Sequence, residues 1–301
     1  MSALLQGIRV LDFGRYIAGP YCGALLAEYG ADVIRIEKRD GSEDRFPAQV
    51  GGGVGALFLQ MNRNKRSITL DPASPDGRKI VARMVKTADV VIANLPVATL
   101  VSMGLDYDTL RSYREDIIFV TNTAFGPVGP MSSNVGFDGV GQVMSGASYM
   151  TGEPDRPHRY AAPWVDFGTA LHCAFGTMAA LMERQKTGKG QMVTGALLAT
   201  AVTVNNASLI EQAVVAPNRI PTGNRGQTAG PVDLGLVDID AFKSINDHHG
   251  HLAGDRVLID VGRWLEELAG PTGLVARVGG DEFALIVPAD VSFFQRRSRI
   301  V

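Results

Sequence analysis

The sequence predicts an α/β fold: a Rossmann-like, largely parallel sheet in the N-terminal part, followed by a smaller α+β segment. Two observations support this prediction. Short apolar runs alternate with helical patterns through the first 200 residues, and this order is typical of βαβ units. From residue 234 onward the composition changes, because residues 234–290 carry ten acidic and only four basic residues.

Four apolar runs predict the strands of the parallel sheet. They are rich in valine and isoleucine, and continuous apolar runs of this length are typical of strands covered on both faces. They occupy residues 8–13, 32–37, 89–95 and 116–125. The stretch QMVTGALL, which begins at residue 191, predicts a further strand.

Three helices are predicted between these strands. Residues 19–31 begin with an early proline and end near a glycine. Ser74 is the predicted N-cap of a helix over 74–88 that places Ile80, Met84 and Val85 on one face. The segment 163–191 is predicted to be amphipathic, and its apolar residues at helical spacing are Leu171, Phe175, Met178 and Met182.

Composition and charge exclude several classes of protein. The net charge of −2 gives no basic surface for nucleic acid, and no run of 18 apolar residues predicts a membrane span. Cys22 and Cys173 supply neither a disulfide framework nor a metal-binding spacing, so a cytoplasmic location is expected. The Gly-, Pro- and Asn-rich stretch 216–231 is the predicted domain boundary.

Several stretches of residues 4–231 resemble the family III CoA-transferases, the group that includes formyl-CoA transferase and the carnitine CoA-transferases. They occur in the family's order and spacing, and they are GIRVLDFGRYIAGPYCGALLAEYGADVIRIEK, NRNKRSITLD, ADVVIAN, GFDGVGQVMSGASYMTG and ALMERQKTGKGQMV. The resemblance implies an incomplete CoA-transferase-like domain over residues 1–231. It also implies a homodimer that acts on acyl-CoA and a small carboxylic acid.

Asp166 occupies the position of the family's nucleophile, an aspartate just ahead of the helix that runs into KTGKGQ. The resemblance therefore implies CoA transfer through a covalent aspartyl intermediate, since a carboxylate can attack the carbonyl carbon of a thioester. By its position alone, Asp166 would be read as a helix N-cap. Backbone N–H groups near the nucleophile are expected to stabilise the oxyanion that each attack creates.

The resemblance also implies a coenzyme A site. The residues carried over follow the first strands, and they are Ile17, Ala18, Lys38, Leu70, Asn94, Leu95 and Met103. Lys38 would face the phosphates of the nucleotide end, and Lys38 and Asn94 are expected in one cleft at the carboxyl ends of neighbouring parallel strands. The sequence departs from the family at Ser102, where an arginine is usual, and at Ile17, where many members have glutamine.

Racemases that act on 2-methylacyl-CoA share this fold and need an aspartate and a histidine on opposite sides of the α-carbon. The family histidine lies in a GHD triplet, which reads GFD here, with Phe137 in its place. Because phenylalanine cannot transfer a proton, the sequence favours a transferase over a racemase.

Residues 234–290 resemble a GGDEF domain, the diguanylate cyclase module. The stretches LGLVDIDAFKSINDHHGHLAGDRVL and VARVGGDEFALIV carry this resemblance. It implies that Asp238 and Asp281 hold magnesium with help from the Ile239 carbonyl. It also implies that Lys243 meets the terminal phosphates, that Asn246 and Asp255 read guanine, and that Glu282 lies at the catalytic turn.

Both modules are shorter than the domains they resemble. We expect a partial GGDEF-like segment over 232–290, joined near residues 231–236, and a tail over 291–301. We also expect the VGGDE hairpin to lack flanking strands on its far side and to synthesise no cyclic dinucleotide. Two further alternatives stay open: a non-catalytic CoA- or nucleotide-binding signalling fusion, and a non-functional chimera.

Overall fold

The structure is a computed structural model that describes residues 3–153, 155–214, 221 and 232–288. The chain divides into two compact units. The first takes in the described residues up to 149 and from 158 to 214, and the second takes in those between 150 and 157 and from 232 to 288. The predicted boundary loop 216–231 lies outside the described residues except for Pro221, and so does the predicted tail 291–301.

The first unit is built on a six-stranded sheet whose strands are all parallel. Its strands are β1 (Arg9–Asp12), β2 (Asp32–Glu37), β3 (Arg66–Thr69), β4 (Val90–Ala93), β5 (Ile118–Thr123) and β6 (Met192–Ala196). The order across the sheet is β3-β2-β1-β4-β5-β6. All six strands therefore end at one edge, where open parallel sheets bind ligands.

Ten helices belong wholly or partly to this unit within the described residues. They are α1 (Ala18–Glu28), α2 (Ala56–Met61), α3 (Pro75–Val85), α4 (Val97–Met103), α5 (Tyr107–Tyr113), α6 (Asp138–Met144), α7 (Ala147–Thr151), α8 (Trp164–Thr187), α9 (Leu197–Val204) and α10 (Asn206–Val214). Two 3₁₀ turns lie at Glu43–Arg45 and Gly51–Gly53.

Helices cover both faces of the parallel sheet. On one face, α1 and α8 pack through Cys22, Leu26 and Cys173 onto the strand residues Val10 and Val120. The other face is covered by helices that include α3, α4 and α5, whose buried residues include Val81, Leu100 and Leu110. A core on both faces explains why the strands read as continuous apolar runs.

The predicted faces of two helices were wrong in detail. In α3 the buried residues are Gly77, Val81 and Val85, whereas Ile80 is largely exposed. In α8 the buried face is formed by small residues such as Ala170, Cys173 and Ala180. Of the four apolar residues at helical spacing, Met178 packs partly buried against the core, whereas Leu171, Phe175 and Met182 are exposed.

Helix α8 is long enough and apolar enough, by length and composition, to cross a membrane, and it is the single such helix in the described part of the chain. Its Ala170, Cys173, Ala180 and Leu181 belong to the core that packs against the sheet. A folded domain's core helix passes the same test of length and composition, so this helix gives no support for a membrane span.

The second unit contains a three-stranded antiparallel sheet in the order β7-β9-β8. Its elements are β7 (Val232–Asp238), α11 (Phe242–His249), α12 (His251–Ala269), β8 (Leu274–Arg277) and β9 (Glu282–Pro288). Leu258 and Leu265 of α12 pack against Phe283 of β9. The predicted α/β fold with a following α+β segment is confirmed. Strand β7 pairs with β9 on the side opposite β8, and β8 has no second partner strand among the described residues. The expectation that strands are missing on the far side of the hairpin stays a prediction.

The N-cap of α3 provides a test of this local structure. The Ser74 hydroxyl accepts a hydrogen bond from the Gly77 amide at 3.0 Å, as the sequence predicts. Ser74→Ala should lower the free energy of unfolding by about 1 kcal/mol, because the Gly77 amide then loses its acceptor. Urea unfolding measures this loss. Ser74→Asp is the matched control and should retain most of the stability, so equal losses in both variants would contradict the capping role.

Candidate active site

A cleft of about 330 Å³ opens in the first unit, at the edge where the parallel strands end. It is bordered by the turns after β1 and β4, the ends of β5 and β6, a loop before α6, and the first turn of α8. The lining residues are Arg15, Tyr16, Glu43, Asn94, Leu95, Pro96, Val97, Ala98, Asn122, Thr123, Ala124, Ser132, Ser133, Asn134, Val135, Gly136, Phe137, Asp166 and Leu197.

Asn94, just after β4, fixes the turn between β1 and α1. Its side-chain oxygen accepts from the Arg15 amide at 2.6 Å, and its side-chain nitrogen donates to the Arg15 carbonyl at 2.9 Å. The turn passes close to this amide, since a Cβ added at Gly19 would lie 2.9 Å from the Asn94 side-chain oxygen. One side chain therefore joins the first and fourth strand ends of the cleft.

Buried charged residues also stabilise the turn between β1 and α1. Asp12, at the end of β1, accepts from the Lys65 ammonium at 2.7 Å and from the Gly14 amide at 2.8 Å. Burial opposes the negative charge of Asp12, but Lys65 and Arg35 outweigh that effect and hold the pKa of this carboxyl below its usual value. The charge network thereby supports the backbone that carries Arg15 into the cleft.

A second group of charges connects the cleft to Lys38. Arg35 donates two hydrogen bonds to the Asp44 carboxylate, at 2.7 and 3.0 Å. The neighbouring Glu43 lines the cleft, lies 3.8 Å from the Arg15 guanidinium and pairs with the Lys38 ammonium at 3.1 Å. Lys38 is itself exposed, and this ion pair places it at the rim.

Asp166 lies in the first turn of α8 and lines the cleft. Burial raises the pKa of its carboxyl to about 7, and the negative charge of Asp138 adds to the rise. A carboxyl with a pKa near neutral gives the cleft a group that can exist in either form at physiological pH. Its ionised form is less solvated than a surface carboxylate, which increases its reactivity as a nucleophile.

Asp138, the first residue of α6, is the side chain that caps α8. One of its carboxylate oxygens accepts from the amides of Val165 at 2.8 Å and Asp166 at 3.2 Å, and the other accepts from Gln142. Helix α8 begins at Trp164, so the prediction that Asp166 precedes the helix was wrong by one turn. These two amides are also occupied by Asp138, and they do not provide the free N–H groups expected for an oxyanion.

The structure brings three of the predicted residues to the cleft: Asn94, Leu95 and Asp166. Ile17 and Ala18 are buried where α1 begins, directly after the lining residues Arg15 and Tyr16. Ala18 packs against Leu197, which does line the cleft. Ile17, Ala18, Asn94 and Leu95 follow strands that end at the same edge of the sheet, whereas Asp166 reaches the cleft from the start of α8.

Lys38, Leu70 and Met103 do not line the cleft. Leu70 and Met103 pack partly buried against the core on the face of the sheet that α3, α4 and α5 cover. Lys38 and Asn94 follow β2 and β4, which end at the same edge but are separated by β1, so their strands are not neighbours as predicted. Lys38 reaches the cleft only through its ion pair with Glu43.

Several lining residues were missed by sequence reasoning, above all Arg15, Glu43 and Asn122. A usable signal existed for Asn122, since it lies at the end of a predicted parallel strand, where ligand-binding side chains concentrate. Glu43 comes from a 3₁₀ turn without a recognisable pattern, and its position depends on the packing of the Arg35–Asp44 pair.

Phe137 also lines the cleft, and 64% of its surface is exposed. Its ring packs edge-on against Tyr16 at a centroid distance of 5.6 Å. Phe137, the central residue of the GFD triplet, thus shares the cleft with Asp166. A racemase needs a base at this position, whereas Phe137 provides only an apolar surface.

In the second unit, two of the predicted metal ligands lie close in the fold. Asp238 at the end of β7 is paired in register with Glu282, and the Ile239 amide donates to the Asp281 carbonyl at 3.2 Å. The structure thus places Asp238 and Asp281 at the same end of the sheet. The described residues contain no group of three or more His, Cys, Asp or Glu arranged to hold a metal ion.

The predicted nucleotide contacts of this unit lie on its two helices. Lys243 and Asn246 are in α11, and Asp255 is in α12. Asn246 approaches the start of α12, since a Cβ added at Gly254 would lie 1.9 Å from its side-chain oxygen. Asn246 and Asp255 are therefore near one another, as shared recognition of one base requires.

Sequence comparison identifies the first unit. The profile of CoA-transferase family III matches residues 5–236. The chain belongs to CoA-transferase family III. A second profile, the diguanylate cyclase GGDEF domain, matches residues 222–295, so both predicted resemblances are confirmed.

Curated members of the family are similar to this chain over much of its length. It is 39% identical over 203 residues to a succinate–glutarate CoA-transferase of Agrobacterium fabrum, covering 64% of this chain and 51% of that protein. It is 36% identical over 215 residues to a formyl-CoA:oxalate CoA-transferase of Rhodopseudomonas palustris, covering 70% of this chain and 50% of that protein. The chain thus spans about half the length of these relatives.

Solved structures share the fold. A CAIB/BAIF family protein from Brucella suis superposes with a TM-score of 0.68 at 33% identity, covering 83% of this chain and 71% of that one. A protein from Mycobacterium tuberculosis superposes with a TM-score of 0.67 at 29% identity, covering 81% of this chain and 67% of that one.

The raised pKa of Asp166 predicts a pH-dependent stability. In the folded chain the carboxyl binds its proton up to about pH 7, whereas its ordinary pKa is 3.8, so the native state binds more protons between these values. The contribution of Asp166 to stability is therefore lost as the pH rises through this window. Asp166→Asn, which stays neutral, should gain stability relative to the native sequence between pH 4 and pH 7 and level off above pH 7.

Urea unfolding of both proteins at pH 4, 5.5, 7 and 8 measures this difference. The comparison isolates Asp166, because all other titrating groups are common to the two chains. A difference in the free energy of unfolding that is constant across this range would contradict a raised pKa.

Proposed function

We propose that this chain transfers coenzyme A between an acyl-CoA and a carboxylic acid, with Asp166 as the nucleophile. The observation that carries the proposal is the carboxyl of Asp166, largely buried in the cleft of a CoA-transferase family III fold. Protein side chains that attack thioesters must be unprotonated and poorly solvated. A carboxyl with a pKa near 7 meets both conditions above neutral pH.

The proposed reaction has four steps. An Asp166 oxygen attacks the thioester carbonyl carbon, the carbon–sulfur bond breaks, and CoA thiolate leaves a mixed anhydride. The thiolate attacks the Asp166 carbonyl carbon of the anhydride, releasing the first acid as its carboxylate and forming an aspartyl thioester. The acceptor carboxylate attacks this thioester and expels the thiolate again. The thiolate then attacks the acceptor's carbonyl carbon, which forms the new acyl-CoA and restores Asp166 without net proton transfer.

Asp138 positions the first turn of α8, which carries Asp166, and raises the Asp166 pKa. Its carboxylate accepts from two amides in the first turn of α8, and Gln142 fixes its other oxygen. Its negative charge makes ionisation of Asp166 less favourable, so the attacking carboxylate is less stabilised in its resting state. Stabilisation of the oxyanion is expected from other donors, since these amides are occupied.

The substrates follow from the family and from the cleft. The relatives named above act on short acids, by name succinate, glutarate, formate and oxalate. In this chain, acyl-CoA is proposed to enter by the turns after β1 and β4, where Asn94 and Leu95 line the cleft and Lys38 lies at the rim. The acyl-CoA site would also depend on the backbone position and packing of four residues outside the cleft lining: Ile17, Ala18, Leu70 and Met103. The homodimer and the cytoplasmic location stay predictions.

The residues at the cleft favour transfer over racemisation. A racemase needs a second proton-transferring group facing Asp166, and the side chain at the corresponding position, Phe137, carries no titratable proton. The alternatives of a non-catalytic CoA-binding fusion and a non-functional chimera predict a cleft that forms no covalent adduct.

A covalent adduct on Asp166 is the direct test. The purified protein is incubated with a panel of short acyl-CoA thioesters and analysed by intact-mass and peptide mass spectrometry. We expect an added mass of an acyl group or of coenzyme A on the peptide that contains Asp166. Asp166→Asn should lose the adduct and all measurable transfer, because an amide is a far weaker nucleophile than a carboxylate.

Asp108→Asn is the matched control, since it neutralises an exposed acid in the first turn of another helix, α5. It should retain the adduct. Adduct formation at the native rate in Asp166→Asn would exclude Asp166 as the nucleophile, whereas no adduct in the native protein with any thioester would favour the non-catalytic alternatives.

For the GGDEF segment we propose that Asp238 and Asp281 can ligate magnesium together with GTP phosphates, but that the segment synthesises no cyclic dinucleotide. Two carboxylates suit magnesium when phosphate oxygens and water complete the octahedron. Cyclisation requires two loaded domains held rigidly face to face. Asp238 and Glu282 are exposed, and β8 has no second partner strand among the described residues.

The test incubates the purified protein with GTP and magnesium and separates the products by chromatography. We expect no cyclic dinucleotide. A cyclic dinucleotide peak that disappears in Glu282→Gln would show that the segment is a working cyclase.

A further inference from the structure

Asn122 is a buried polar residue at the floor of the cleft whose side-chain nitrogen has no hydrogen-bond partner among the described residues. It lies near the end of β5, and only 3% of its surface is exposed. An unpaired amide that is removed from water costs about 1–3 kcal/mol, so most buried amides have partners. A bound molecule that supplies an acceptor would satisfy the amide and remove this free-energy penalty.

The position of Asn122 places it beside the helix that carries Asp166. Asn122 is in register with Gly195 of β6, and a Cβ added at Gly195 would lie 3.2 Å from the Cβ of Asn122 and 3.0 Å from a methyl carbon of Thr169. Thr169 follows Asp166 by three residues in α8, about one helical turn. Asn122 and Asp166 line the same cleft, so a group attached to Asp166 would occupy the cleft that Asn122 borders.

Cys173 is the neighbouring protein group that the Asn122 side chain approaches. The Cys173 thiol is a weak acceptor. Burial raises its pKa to about 11, although its interaction with the Asn122 side chain lowers that pKa. The thiol does not meet hydrogen-bond geometry with the side-chain nitrogen of Asn122. An oxygen atom of a molecule in the cleft is a stronger acceptor than this thiol, so such a molecule would give the buried amide a better partner.

We propose that Asn122 determines acyl specificity: its side-chain amide hydrogen-bonds an oxygen-bearing substituent, a carboxylate or a hydroxyl, on the short acyl group held at Asp166. The inference rests on the proposed CoA transfer. A site with a buried donor discriminates strongly against an analogue that lacks the acceptor, because binding of that analogue leaves the donor unpaired. A plain alkyl acyl group of equal length is thus the disfavoured substrate.

Arg15, the single cationic residue among the described residues that line the cleft, is less suited to this selection. Its Nη1 donates to the carbonyls of Phe13 and Gly14, each at 2.8 Å, and its Nε lies 3.8 Å from the Glu43 carboxylate. The charge of Arg15 is thereby balanced by neighbouring protein groups. Selection by a neutral amide predicts that a hydroxyl substituent is accepted as well as a carboxylate.

The experiment compares three acyl-CoA donors of similar length: succinyl-CoA, 4-hydroxybutyryl-CoA and butyryl-CoA. The native protein should prefer the first two over butyryl-CoA in kcat/KM. In Asn122→Leu, a substitution of similar size, the preference for both oxygen-bearing donors should fall by about 10- to 100-fold, while kcat/KM for butyryl-CoA is retained or rises. Asn122→Ala provides a second variant in case the leucine disturbs folding, which circular dichroism would show.

Thr121→Val is the matched control. The Thr121 hydroxyl is also buried without a partner among the described residues. Thr121 precedes Asn122 in β5, so its side chain points to the opposite face of the sheet, and it does not line the cleft. This variant should keep the native preference among the three donors, since it removes an unpartnered polar group that no substrate reaches.

Each result decides between the possibilities. An equal loss for all three donors in Asn122→Leu would place Asn122 at the reacting carbonyl or in the fold, and would overturn the inference. Covalent adduct formation by a native protein without any preference for oxygen-bearing donors would overturn the inference and leave the proposed transfer intact. A native protein that accepts no acyl-CoA would overturn both.

Discussion

The buried carboxylate of Asp12 is the constraint on which the cleft depends. It is inaccessible to solvent at the end of the first strand, and the Lys65 ammonium at 2.7 Å compensates its charge. Such a pair stabilises a fold only if the remaining donors and acceptors are also satisfied. Here the second Asp12 oxygen accepts from Gly14, and the Lys65 ammonium also donates to the Pro20 carbonyl. The turn after β1 is thereby fixed on both sides, and it can present Arg15 and Tyr16 to the cleft.

Two carboxyl groups near the start of α8, those of Asp138 and Asp166, have different surroundings. The Asp138 carboxylate accepts hydrogen bonds from three N–H groups, two in the first turn of α8 and one on Gln142, so Asp138 acts as a structural cap. Asp166 receives much less of this support, and burial together with the Asp138 charge raises its pKa to about 7. Different surroundings thus separate a capping carboxylate from the carboxyl that we propose as the nucleophile, and enzymes commonly assign roles to neighbouring acids in this way.

The two units of the chain differ in how far their sites are assembled. The first unit encloses its candidate nucleophile in a cleft with a defined wall, floor and rim. The second unit forms the antiparallel sheet of the GGDEF signature, with β9 at its centre, yet its acids Asp238 and Glu282 remain exposed at the strand ends. Exposed acids keep their hydration and bind a cation weakly unless a ligand such as a nucleotide supplies further oxygens. The two profile matches therefore support a catalytic proposal for the first unit only.

The sequence by itself determined the parallel sheet, the cap of α3 and the family, because each depends on local pattern or on a motif. Tertiary structure decided which helix faces are buried: small residues of α8 meet the sheet, and its larger apolar residues, such as Phe175, are exposed. Tertiary structure also determined which residues line the cleft, because Asn122, Glu43 and Arg15 come from distant parts of the chain. Residues that meet only through strand order, here β2-β1-β4-β5, leave no local pattern, since their proximity arises from packing.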